Sequence, residues 1–261
     1  MIKVLVSGAC GRMGREVVRA VSAETDLELV AAVDPAHSGE PLDGHTGLVV
    51  ARNLDDAIRE HGPEVMVDFT HPAAVESNLR TALALGVHCV VGTTGITQQQ
   101  LEALAAEATD GACLFVAPNF AIGAVLMMRF AAEAARHLPH VEVIELHHDR
   151  KADAPSGTAL RTAELIAATR PRVPDAPGRD TEIADGARGA LVDGVAIHSV
   201  RLPGLVAHQV VVFGGQGQTL TIRHDSVDRT SFMPGVVLAI RETVKRTGLV
   251  IGLEQYLEAG R

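Results

Sequence analysis

The sequence predicts an α/β protein in two parts: a parallel sheet wrapped by helices, followed by an α+β part built on a mostly antiparallel sheet. Three observations lead there. Short β-branched runs alternate with amphipathic helical stretches from Ile2 to Val116, a glycine-rich turn joins the first run to the first helix, and the rhythm changes near Pro118-Asn119-Phe120.

In the first part, Ile2 to Val6, Leu27 to Val33, Val65 to Phe69, Val87 to Val91 and Cys113 to Val116 read as strands. Their near-continuous apolar character suits a parallel sheet covered on both faces. Met13 to Val21, Leu54 to His61, Ala73 to Leu85 and Gln98 to Ala108 carry helical spacing, with Thr97 the expected N-cap of the last.

Beyond Phe120 a helix is expected from Gly123 to His137, a strand from Val141 to Leu146, and a helix from Thr158 to Thr169. Pro171 to Gly194 is rich in Pro, Gly and Asp and reads as a long surface loop. Val195 to Arg201, His208 to Phe213 and Thr219 to His224 alternate, as strands of an antiparallel sheet with one buried face do. A final helix is expected from Gly235 to Arg246.

Composition excludes several classes. The 261 residues carry a formal charge of −9 with no run of Lys and Arg, which leaves no electrostatic footprint for nucleic acid. One Tyr, six Phe and no Trp offer little for base stacking. Apolar runs are interrupted well short of the roughly 18 residues a membrane helix needs. Met1-Ile2-Lys3-Val4 passes directly into a strand pattern without the stages of a secretory signal, so a cytoplasmic protein is expected. Cys10, Cys89 and Cys113 are scattered and odd in number, as expected of reduced thiols.

Gly8-Ala9-Cys10-Gly11-Arg12-Met13-Gly14 lies between the first strand and the first helix, spaced G-x-x-G-x-x-G. Glycines there permit a tight turn and close backbone approach, so that a helix N-terminus can receive a pyrophosphate. Asp34 ends the second strand 20 residues after Gly14, where a carboxylate meets the ribose hydroxyls of a dinucleotide. The pattern is that of a Rossmann-like nicotinamide site. Asp34 followed by Pro35 favours NADH, while Arg12 leaves NADPH open. Gly92-Thr93-Thr94-Gly95 and Ala117-Pro118-Asn119-Phe120 follow later strands and are assigned to the nicotinamide half of the cofactor.

The densest chemistry lies from Glu145 to Thr158. His147 and His148 end a strand, Lys151 follows, and Ser156-Gly157-Thr158 opens a helix. Proton donors and an anion-binding helix start within one loop suit a small carboxylate substrate. No metal is expected, since adjacent histidines at a strand end point to opposite faces. Ser156 lacks a nucleophile elbow and reads as a cap or anion ligand. His71, His88, His198 and His208 read as packing or surface residues, and Arg223-His224-Asp225 as cross-strand pairing.

On these residues the sequence resembles the 4-hydroxy-tetrahydrodipicolinate reductase (dihydrodipicolinate reductase) family nearly end to end. The matching stretches are Gly8 to Gly14, Val67-Asp68-Phe69-Thr70, Gly92-Thr93-Thr94-Gly95, Pro118-Asn119-Phe120, the string from His147 to Thr158, and Ile222 to Phe232. The resemblance implies NADH- or NADPH-dependent reduction of a cyclic hydroxylated dicarboxylate with loss of water, in lysine and diaminopimelate biosynthesis. It implies His147 and Lys151 as the acid/base pair, with His148, Ser156, Gly157 and Thr158 on substrate. It further implies an inserted substrate and oligomerisation domain, 123–231, on an open, mostly antiparallel sheet, within a dinucleotide domain of 1–122 and 232–261, and a homotetramer. The residues alone leave a second reading: another nicotinamide reductase or amino-acid dehydrogenase on the same scaffold, which turnover of the cyclic substrate would separate.

Overall fold

A computed structural model describes residues 1–171 and 182–257. The chain divides into two compact units, Met1–Phe120 with Phe232–Arg261, and Ala121–Ser231.

The first unit opens with β1 (Ile2–Ser7), α1 (Arg12–Ala23), β2 (Leu27–Val33), α2 (Leu54–His61) and β3 (Val65–Asp68). It continues through α3 (Pro72–Ala84), β4 (His88–Val91), α4 (Gln98–Ala106) and β5 (Cys113–Val116). Local chemistry sets the helix ends. Asn53 caps α2 by accepting from the Asp55 and Asp56 N–H groups, and Gly62 ends it in the left-handed region at φ 55°. Thr97 caps α4 in a reciprocal capping box with Gln100. His71 is exposed at the surface, and its ring also caps α3 by accepting from the Ala73 N–H.

The second unit contains α5 (Ile122–Ala135), β6 (His140–His147), α6 (Gly157–Thr169), β7 (Ala190–Val192), β8 (Val195–Arg201), β9 (Ala207–Gly215) and β10 (Gln218–Ser226). Its sheet order is β10-β9-β6-β8-β7. The sheet is mostly antiparallel, as the sequence predicts, with one departure: β6 lies between β8 and β9 and pairs parallel with β8. Along β6, residues from His140 to His147 find partners from Gly214 to Ala207, so both of its edges are hydrogen-bonded.

The expected loop from Pro171 to Gly194 needs correction. Residues 172–181 lie outside the described part, but Ala190–Val192 form β7, paired with β8 in the register Val192↔Val195. Asp193 and Gly194 stand between them at φ 47° and 76°. An Asp-Gly pair with both residues at positive φ is the favoured two-residue hairpin turn, and its signal was present in the sequence.

The chain then returns to the first unit with α7 (Met233–Thr243), β11 (Gly248–Ile251) and α8 (Glu254–Leu257). Helix α7 ends three residues before the expected Arg246, and β11 was not anticipated. β11 adds parallel to β5 and completes a six-stranded sheet in the order β11-β5-β4-β3-β1-β2. Every pairing in it is parallel, so the strands' carboxyl ends share one edge. Leu5, Met66, Leu79, Leu83, Cys89 and Leu114 pack between this sheet and its helices and are fully buried or nearly so. Among the described residues, no helix is long and apolar enough to cross a membrane.

Candidate functional site

The carboxyl edge of the six-stranded sheet gathers the residues that sequence assigns to the dinucleotide. β2 lies on one side of β1 and β3 on the other, so the chain changes direction beside the β1 end. Ligands bind at such switch points in open α/β sheets. There Gly8 turns at φ 78° and donates its N–H to the Val33 carbonyl at 2.8 Å. A Cβ at Gly8 would lie 2.6 Å from the Phe69 carbonyl oxygen, and one at Gly14 only 2.0 Å from the Gly8 oxygen. These two glycines let β1, α1 and the end of β3 meet as closely as they do.

Gly11 is the N-cap of α1 and makes no side-chain capping bond, so the first-turn N–H groups are not taken up by a cap. Asp34 sits at the end of β2 with Oδ2 accepting from the Cys10 N–H and Oδ1 from the Ala36 N–H, both at 3.2 Å. An uncapped 12-residue helix, a loop without bulk at Gly11 and a neighbouring carboxylate fit a dinucleotide's pyrophosphate and ribose. Arg12 is exposed and Met13 half-buried at the same helix start.

The nominated loop after β4 is anchored by a residue to which the sequence alone assigns no role. Asp68, fully buried, accepts from the Thr70 N–H at 3.1 Å, the Thr70 hydroxyl at 2.8 Å, the Thr93 hydroxyl at 2.7 Å and Asn78 Nδ2 at 2.8 Å. One carboxylate thus ties the loop after β3 to Thr93. Gly92 leaves room for the Phe69 ring, which a Cβ would meet at 2.0 Å. Phe120 packs its ring against Phe69 and Phe115 at centroid distances of 5.6 and 6.0 Å. Ala9, Ala117 and Phe120 are buried. Thr94 and Pro118 are exposed and Asn119 half-buried.

In the second unit, β6 delivers His147 at its last position, and a loop through His148 and Lys151 leads to α6. His147 Nδ1 is hydrogen-bonded to Glu145 Oε2. Glu145 is fully buried and held by Arg201, whose Nη1 donates to Oε2 at 2.9 Å and Nη2 to Oε1 at 2.8 Å. Arg201 Nη2 also donates to the Asp153 carbonyl at 2.7 Å, and the Ser156 N–H reaches Glu145 Oε1 at 3.3 Å. Burial opposes ionisation of Glu145, but hydrogen bonds from Arg201, Ser199 and His147 outweigh it and hold the carboxyl below its usual range. Burial pulls His147 below the usual histidine range, and Glu145 only partly offsets this, with Lys151 and Arg201 adding to the lowering.

Lys151 Nζ donates to both oxygens of Asp153 at 2.8 Å, and its N–H donates to the His148 carbonyl at 3.2 Å. Ser156 Oγ accepts from the Ala159 N–H at 3.2 Å as the N-cap of α6. A Cβ at the exposed Gly157 would meet nothing within 4 Å, so a ligand can approach the helix start there. Thr158 follows it, its carbonyl accepting from the Thr162 hydroxyl at 2.7 Å. The structure therefore brings His147, Lys151 and Ser156 into one network, with His148 exposed beside it.

Sequence reasoning gave no role to Glu145 or Arg201. Glu145 had a usable signal, since residues two apart on a strand share a face. Arg201 had none, because it reaches Glu145 only through the parallel register of β8 on β6. Of the remaining histidines, His198 pairs with Glu142 at 2.8 Å and His208 with Asp225 at 2.6 Å, the latter directly across β9 and β10.

Residues 2–120 match the family described as dihydrodipicolinate reductase, N-terminus, and residues 123–257 the one described as dihydrodipicolinate reductase, C-terminus. A 4-hydroxy-tetrahydrodipicolinate reductase of Syntrophomonas wolfei is 52% identical over 263 residues, covering 98% of this chain and 98% of the relative. One of Listeria welshimeri is 51% identical, covering 98% of this chain and all of the relative. Among solved structures, a dipicolinate-bound dihydrodipicolinate reductase from Paenisporosarcina sp. TG-14 superposes with a TM-score of 0.88 at 45% identity, covering 98% of this chain and 99% of that one. An amine dehydrogenase from Mycobacterium smegmatis shares the fold alone, with a TM-score of 0.66 at 15% identity over 95% of this chain and 94% of that one.

Proposed function

This chain belongs to the dihydrodipicolinate reductase family, and on that premise we propose that it reduces 4-hydroxy-tetrahydrodipicolinate to tetrahydrodipicolinate with loss of water, in lysine and diaminopimelate biosynthesis. The carrying observation is the loop from His147 to Thr158. It joins a histidine, a lysine and an open helix start within one hydrogen-bonded network.

The nicotinamide dinucleotide supplies a hydride. Gly8, Ala9, Cys10, Gly11, Arg12, Met13 and Gly14 hold its pyrophosphate, Asp34 its adenosine ribose, and Gly92, Thr93, Thr94, Ala117, Pro118, Asn119 and Phe120 its nicotinamide half. NADH is accepted well because Asp34 disfavours a 2′-phosphate, and the exposed Arg12 lets NADPH serve also.

His148, Ser156, Gly157 and Thr158 bind the substrate carboxylates, with Gly157 admitting them to the backbone N–H groups of α6. Hydride addition at a ring carbon requires a proton, and Lys151 supplies it. A carboxylate only accepts, so His147 Nδ1 must be the donor to Glu145, and the neutral imidazole presents Nε2 as an acceptor. That makes His147 the group that receives and holds a proton, and Lys151 the acid.

The unpaired thiols Cys10, Cys89 and Cys113 fit a reducing, cytoplasmic setting. A homotetramer would cover the open sheet of the second unit, where Leu191 and Leu220 are 63% and 40% exposed.

The deciding experiment follows oxidation of NADH, and separately NADPH, with the substrate generated enzymatically in the same cuvette. Rapid oxidation that falls about 100-fold or more in Lys151→Ala supports the reaction and its acid. No oxidation by folded, dinucleotide-binding protein overturns the substrate assignment, and near-normal kcat in Lys151→Ala removes that residue from catalysis.

A further inference from the structure

We infer that Glu145 and Arg201 are positioning residues for the reaction: Glu145 locks His147 in the Nδ1–H tautomer with Nε2 presented to substrate, and Arg201 fixes Glu145 and the loop carrying Lys151 together. The inference rests on the reading of His147 and Lys151 as the acid/base pair.

The geometry has three parts. Glu145 and His147 are two apart on β6 and share one face, so the carboxylate meets the ring nitrogen nearer the backbone, Nδ1. The hydrogen bond made by one ring nitrogen decides the role of the other. Free histidine has no such constraint, so the tautomer is imposed by Glu145.

Arg201 performs two tasks with one planar fork. Its two terminal nitrogens grip both carboxylate oxygens, and Nη2 also reaches the Asp153 carbonyl. The side chain of that same Asp153 holds Lys151 Nζ at 2.8 Å. The guanidinium therefore sets both the strand that carries His147 and the segment that places Lys151. Lysine cannot reproduce this, because its ammonium is a point charge without the fork. The Ser156 N–H, also on Glu145, draws the N-cap of α6 into the same cluster.

The charged groups around His147 are Glu145 on its own strand, Lys151 in the following loop and Arg201 on β8. Of these, Glu145 alone favours the protonated ring. Its removal lowers the pH at which His147 gains a second proton and loses the Nε2 acceptor.

The test compares wild type, Glu145→Gln, Glu145→Asp and His147→Gln, using nitrogen NMR of ring-labelled histidine and the pH profile of kcat. The His147 signals are assigned by their loss in His147→Gln. Wild type is expected to show the Nδ1–H tautomer. Glu145→Gln is expected to lose it, to lower kcat by about 10²–10⁴-fold, and to move the acid limb of the profile downward. KM for the dinucleotide should not change, and Glu145→Asp should restore part of kcat and the wild-type tautomer.

An Nε2–H tautomer in wild type overturns the inference even if no Glu145 variant folds. So does a Glu145→Gln enzyme with unchanged tautomer and profile while His147→Gln is inactive. Full activity of His147→Gln would instead overturn the acid/base reading beneath it.

Discussion

Arg201 meets the fully buried Glu145 as a two-pronged partner, with its terminal nitrogens 2.9 and 2.8 Å from the two carboxylate oxygens. Truncating one member of such a pair leaves the other buried and uncompensated, which costs about 3–5 kcal/mol, far more than the pair's net worth. Arg201→Met is therefore expected to lower the urea-unfolding free energy of the protein by about that amount. Glu145→Leu in the Arg201→Met background should recover most of the loss, since no charge then remains stranded. A double variant no more stable than Arg201→Met would show that the pair's value lies in its shape and not in its charge balance.

His88 gives a stability that depends on pH. Its Nδ1 accepts from the backbone N–H of Cys113 at 3.0 Å, a bond that a protonated ring cannot make. Burial lowers its pKa from 6.5, and burial does the same to His147 and His224. For a lowered pKa the unfolded chain binds more protons in the window between the two values, so stability is full above about pH 6.5 and is lost as pH falls below it. Urea unfolding at pH 7 and pH 5.5 should show this loss. His88→Gln, whose amide oxygen can accept from Cys113, should reduce it, and an unchanged pH slope would exclude His88 as a contributor.

The parts of the molecule that were legible in the sequence depend on residues close together in the chain. The glycine loop and Asp34 follow from the order strand, turn, helix, strand, and the Thr97–Gln100 capping box is readable from four residues. The His147 to Thr158 loop is equally local. The Asp193-Gly194 turn carried a readable signal for β7 that the surrounding Pro- and Gly-rich composition obscured. The Glu145–Arg201 contact was not legible, because it spans 56 residues and depends on β6 lying between β8 and β9. Alternation tells which residues share a face but not which strands become neighbours. Asp68 was quoted within a motif, yet its role depends on Thr93, 25 residues away on another loop.

Gly14 tests how closely the dinucleotide loop must be packed. A Cβ there would lie 2.0 Å from the Gly8 oxygen and 2.8 Å from Ala9 Cα, both rigid backbone atoms. Gly14→Ala must therefore push α1 away from the end of β1. Overpacking of this kind costs about 1–3 kcal/mol, and the displaced helix start should weaken dinucleotide binding at least about tenfold. Fluorescence titration with NADH on protein shown by circular dichroism to be folded measures this. Wild-type affinity would mean that the pyrophosphate is not held at this helix.

Asp34 is the residue on which cofactor choice turns, and its contacts make the test sharper than a simple deletion. One oxygen shapes the glycine loop through the Cys10 N–H and the other holds the Ala36 N–H at the start of the next turn. Asp34→Ser keeps an oxygen able to accept from Ala36 while removing the negative charge that opposes a 2′-phosphate. The ratio of kcat/KM for NADPH to that for NADH is expected to rise at least about tenfold, equivalent to about 1.4 kcal/mol, mainly through KM for NADPH. Arg12→Ala should act in the opposite sense, lowering use of NADPH while leaving NADH nearly unchanged, because an exposed guanidinium at the helix start has no 2′-phosphate to meet in NADH. If Asp34→Ser left the ratio unchanged while Arg12→Ala lowered it, discrimination would rest on the cation and Asp34 would serve the loop's shape alone.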